Sequence, residues 1–91
     1  MTARTGFTSA EAADIAQRLG IDFAASQFDL EQYRMGLDVE LEHGLRSPET
    51  NVTDDDALFT GRIALAHLRE MPDYYTRLAR MEAEAEDEQA G

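Results

Sequence analysis

Apolar residues recur along this chain at three- and four-residue steps, and the breaks between those runs fall at turn-forming residues. The pattern predicts helices and no strand. Thr8-x-x-Glu11 reads as a capping box. Ala12, Ile15, Ala16 and Leu19 follow it as one stripe, and Gly20 is placed to stop the helix. Ile21 to Ala25 then connects. Ser26, with Asp29 three residues on, opens a second helix from about Gln27 to His43, with Leu30, Tyr33, Leu37 and Leu41 on its core face. Gly44 and Pro48 end it. After a polar loop, Leu45 to Val52, Thr53-x-x-Asp56 signals a third helix running to about Glu70. Asp54, Asp55 and Asp56 crowd its N-terminus, where the helix dipole favours negative charge. Leu58 to Leu68 is apolar on more than one face, which predicts the most buried element. Met71-Pro72 breaks the chain, and a fourth helix runs through Tyr74, Leu78 and Met81 to about Glu86. The expected fold is all-α: a small four-helix domain with the second and third helices as a central antiparallel pair, and dimerisation as a route to a complete bundle. Residues 1–7 and 87–91 are expected to be flexible.

Composition narrows the function classes. Ninety-one residues make one domain, 1–91, which buries roughly 60–68% of its unfolded surface, so pairing with a second copy would add core. The formal charge is −11, from 19 acidic and 8 basic residues, all of the latter Arg. That balance lacks the basic footprint of a nucleic-acid binder and suits cations or a basic protein surface. Without Cys, thiolate metal sites, disulfides and Cys nucleophiles are excluded. No apolar stretch follows Arg4, and no run approaches the roughly 18 apolar residues of a membrane span. A cytoplasmic location is expected.

The chemistry-bearing feature is a mirrored motif. Glu40-x-x-His43 lies in the second helix and His67-x-x-Glu70 in the third, and these are the chain's 2 histidines. Residues three apart on a helix share a face, and imidazole with carboxylate is a ligand set for iron, manganese or zinc. On a helical wheel Asp29, Gln32, Gly36, Glu40 and His43 form one stripe flanking the apolar face. His67 and Glu70 share a face with Phe59 and Ile63, where an unpaired carboxylate would be costly.

The register of a plain hairpin does not unite the two motifs. The pairs centre on residue 55 and the loop near residue 49. His67 then falls about twelve residues, roughly 18 Å, from the level of His43. Either Asp29 joins His67 and Glu70 within one chain, or a second chain completes the site. The dimer is preferred, because di-metal bundles gather Glu residues and Glu-x-x-His pairs from four helices. The competing structural reading has His43 capping helix carbonyls near Gly44, and His67 as a hydrogen-bonded core histidine with Glu70 paired to Arg. Tyr74 and Tyr75 are expected to cover a core edge with their hydroxyls at solvent.

Val39-Glu-Leu-Glu-His-Gly44, the loop Thr50-Asn-Val-Thr-Asp54 and the stretch His67 to Leu78 together resemble an uncharacterised family of small bacterial and phage proteins, a domain of unknown function, over roughly Gly20 to Glu82. That resemblance implies no activity. Glu40-x-x-His43 also resembles the half-bundle type of ferritin-like di-iron protein, which dimerises to make its iron site. Gln32, where that type would place a carboxylate, and the Pro-broken second half depart from it. The function expected from the sequence is metal binding, iron foremost with manganese or zinc as alternatives. The ligands would be Glu40, His43, His67 and Glu70, with Asp29 in reserve. The alternative is a non-enzymatic acidic module that binds a basic protein surface. Nothing in the sequence specifies catalysis.

Overall fold

Helix punctuation decides the architecture. In the computed structural model, which describes residues 4–90, the helices are α1 (Ser9–Arg18), α2 (Leu30–Glu40), α3 (Ala57–Glu70) and α4 (Tyr74–Ala90), with 3₁₀ turns at Leu41–His43 and Pro48–Thr50. Among the described residues there is no strand. The expectation of flexible ends falls partly on residues 1–3 and 91, outside the described residues.

α1 opens on the capping box: Thr8 Oγ1 accepts from Glu11 N at 3.1 Å and Glu11 Oε1 from Thr8 N at 2.9 Å. That backbone bond, then the Arg4 guanidinium beside it, hold the Glu11 carboxyl below its usual value. α1 closes at Gly20, whose φ of +74° lets its N–H reach Gln17 O and the Ile21 N–H reach Ala16 O. The cap of α2 is Asp29, accepting from Gln32 N at 2.9 Å, because Ser26 Oγ is turned back to Asp22 O. Of the three aspartates before α3 only Asp56 caps, accepting from Phe59 N. Asp54 and Asp55 take left-handed backbone, with φ of 54° and 61°, and make the turn into the helix. The Asp55 carboxylate receives the N–H groups of Arg4 and Leu45, each at 2.8 Å, clamping the N-terminal segment to the loop. Phe7 is consequently buried.

α2 is the centre of the core, in place of α3. It packs against α1, α3 and α4, and Tyr33, Leu37, Leu41 and Glu40 are all buried. α3 turns the small residues Thr60, Gly61 and Ala64 inward together with Leu68, whereas Phe59 is 54% exposed. A Cβ on Gly61 would lie 2.6 Å from the Tyr33 hydroxyl and 2.7 Å from an Ile15 methyl, so the approach of α1 and α2 depends on that residue. α4 runs on past Glu86, and every residue from 79 to 89 is exposed. Among the described residues no helix is long and apolar enough to cross a membrane.

Candidate functional site

Gly36 and Glu40 lie one turn apart on the face of α2 that meets α4. Because Gly36 has no side chain, the Tyr75 ring lies directly on its backbone, and a Cβ there would come within 2.5 Å of the ring. The ring is thereby positioned for its hydroxyl to donate to Glu40 Oε2 at 2.6 Å. Both groups are buried, with Glu40 at 4% exposure and Tyr75 at 1%. Burial first, then the hydrogen bond to Glu40 and that carboxylate's charge, push the Tyr75 phenol far above its ordinary value.

Both histidines flank this carboxylate. His67 Nε2 lies 3.7 Å from Glu40 Oε2, and His43 Nε2 lies 3.8 Å from Glu40 Oε1. His67 is held by Tyr74, whose ring stacks on the imidazole at 4.3 Å with an 8° interplanar angle, while Tyr75 meets it edge-on. His43, on the 3₁₀ turn, is more exposed, and its Nε2 is nearer to Glu42 Oε1, at 3.2 Å. The separations from Glu40 are too long for hydrogen bonds. A buried carboxylate with one strong hydrogen bond and two imidazoles standing off it is an anion set to receive positive charge, from protonated histidine or from a cation. Among the described residues no group of three or more His, Asp or Glu side chains is already arranged to hold a metal ion.

Three of the five residues expected at the site, Glu40, His43 and His67, therefore meet, and they meet within one chain. The plain hairpin register fails because α2 and α3 are not packed in it. The Tyr33 hydroxyl reaches Gly61 O and Glu40 approaches His67, so these contacts advance along both helices in the same sense, and not in the opposite senses expected of a central antiparallel pair. The long connection between α2 and α3 folds back on itself, with Val52 and Thr53 both donating to His43 O, and this frees α3 from hairpin alignment. Asp29 does not join, since its carboxylate caps α2 at the surface. Glu70 is exposed at the end of α3, with no ion pair to it among the described residues, because the core face of α3 is the Gly61–Ala64–Leu68 side. The costly buried carboxylate is Glu40 instead.

Tyr75 is the member that motif reasoning assigned to a solvent-facing edge. The signal for it was Gly36, a gap in the stripe one turn before a carboxylate that needs a buried donor. A surface concavity lies elsewhere, between the α1–α2 connector and α3, and its charged lining groups are Asp22 and Arg69.

Residues 12–84 match a family described as Protein of unknown function (DUF5661). The chain belongs to that family. The DUF5661 match takes in Gly36, Glu40, His43, His67, Tyr74 and Tyr75, and agrees with the expected resemblance to an uncharacterised family. No curated protein and no solved structure matches the chain, and the ferritin-like likeness gains no support.

Proposed function

We propose that this protein binds a divalent transition-metal ion through Glu40, His43 and His67, with Tyr75 orienting the Glu40 carboxylate. The observation that supports this reading is the approach of two imidazole Nε2 atoms to the two oxygens of one buried carboxylate, at 3.8 and 3.7 Å. Two ligands bound at about 2.1 Å to one ion lie roughly 3.4 Å apart at a tetrahedral angle, so an ion between them needs only a small convergence. His43 must swing from Glu42 toward Glu40, a movement that its half-exposed position on the 3₁₀ turn permits. Tyr75 fixes one carboxylate oxygen from behind, the role that outer hydrogen bonds play for metal-binding carboxylates. Two imidazoles and a carboxylate suit ferrous iron, with zinc and manganese as competitors, and leave coordination positions open. A two-iron site would need more carboxylates here, and neither Glu70 nor Asp29 supplies one.

Calorimetric titration with Zn²⁺, Mn²⁺ and, anaerobically, Fe²⁺ tests the reading. One ion per chain is expected, with affinity lost in Glu40→Gln and His67→Ala and kept in Glu70→Gln and Asp29→Asn. No stoichiometric binding, or equal loss in all four variants, would overturn it.

A further inference from the structure

α4 carries an apolar stripe that the fold leaves uncovered. Tyr74, Leu78, Met81 and Ala85 follow one another at steps of four, three and four residues, the spacing of a coiled-coil seam, and Met71, in the extended turn before the helix, lies beside its start. Tyr74 and Leu78 are half-buried against the core, but Met71 is 39% and Met81 58% exposed, and an apolar groove runs along Met71, Tyr74, Leu78 and Met81 with Arg77 on its rim. The helix is also polarised. Arg77 and Arg80 lie in its first half, whereas Glu82, Glu84, Glu86, Asp87 and Glu88, all exposed, fill its second half. That half is a poor helix alone: it is short for an isolated helix, it sets like charges four apart, and its acids oppose the helix dipole.

We infer that α4 pairs with α4 of a second copy of this chain in antiparallel orientation, about a two-fold axis near Arg80. In that register Leu78 faces the partner's Met81 and Tyr74 the partner's Ala85, large against small. Arg77 and the partner's Glu84 lie on the same flank of the seam, about two residues or 3 Å out of level, within reach of their long side chains. The acidic half of each helix then lies on the basic, groove-bearing half of the other, whereas a parallel pair would set acid on acid. Arg77 makes an exposed ion pair with Asp73 at 2.9 Å, which a pairing of this kind can share or exchange at little cost. The chain's acidity, which suits a basic surface, finds one in its own second copy. This inference is independent of the metal reading, whose residues come from one chain.

Sedimentation equilibrium on the full chain at low salt tests it, with circular dichroism to check the fold. A monomer–dimer equilibrium in the micromolar range is expected, weakened roughly tenfold or more by Met81→Glu. Met81 is exposed, so that variant keeps the folded monomer. Arg77→Glu and Glu84→Arg should each weaken the dimer, and the two together should restore it. A protein monomeric at about 0.5 mM, well above micromolar dissociation constants, would overturn the inference. So would a dimer indifferent to Met81→Glu, or a double charge swap no better than the singles.

Discussion

Replacing Tyr75 by Phe removes one oxygen from the protein and leaves the ring on Gly36, so it isolates the bond to Glu40. The hydroxyl donates at 2.6 Å to a carboxylate that is 4% exposed, and no other hydrogen bond to that carboxylate is seen among the described residues. Hydrogen bonds to charged groups contribute about 1.5–3 kcal/mol, and a buried acceptor left alone carries its desolvation cost in full. Tyr75→Phe should therefore cost about 2 kcal/mol, out of roughly 5–10 kcal/mol for a domain of this size. Tm should fall by about 8–16 °C. Urea unfolding followed by circular dichroism, at unchanged m, measures the loss. The double-mutant cycle with Glu40→Leu, which removes the need for a donor, should show a coupling of about 1–2 kcal/mol. A coupling within about 0.3 kcal/mol of zero would refute the buried pair.

Gly36→Ala should destabilise by about 1–3 kcal/mol in spite of Ala's better helix propensity, because its Cβ displaces the Tyr75 ring; thermal unfolding reads this out. Asp55→Ala strips the partners from the Arg4 and Leu45 N–H groups and should cost about 2 kcal/mol while exposing the N-terminal segment to protease, seen as earlier cleavage there. Burial holds the phenols of Tyr33 and Tyr75 well above their usual value. The stability they confer is complete below about pH 10, where tyrosines of the unfolded chain ionise, and is lost progressively as pH rises above that. Alkaline absorbance titration should find those two tyrosines resisting ionisation until the chain unfolds. Metal added at about 100 times its dissociation constant should raise stability by about 2.7 kcal/mol, and Glu40→Gln should abolish that increment in a thermal scan.

Local signals carried most of the fold. The Thr8–Glu11 box, Gly20 and the Met71-Pro72 break act within a few residues, and each sits where the pattern placed it. Signals that depend on which helix meets which were not readable in the same way. Wheel arithmetic gave α3 a face of large apolar residues, yet packing chose the small face, because Gly61 and Ala64 let Tyr33 and Ile15 come closer than Phe59 would. The same choice sent Glu70 to solvent and brought His67 to Glu40. Composition and spacing singled out Glu40 and both histidines, whereas their approach about one carboxylate within a single chain was not expected, since it depends on a connection that folds back on the His43 carbonyl. Tyr75 was the hardest to foresee. Its role arises from a glycine on another helix, and a pattern along one helix holds no record of its neighbour.

Long-range ¹H–¹⁵N correlation of the imidazole nitrogens tests the metal reading most directly, because the chain has only 2 histidines and so two imidazole spin systems. One equivalent of Zn²⁺ should shift the Nε2 resonances of His43 and His67 together and saturate at one ion per chain, with both shifts lost in Glu40→Gln. If one imidazole or neither responds, or if both respond equally in Glu40→Gln, Glu40 and its two histidines do not form a metal site.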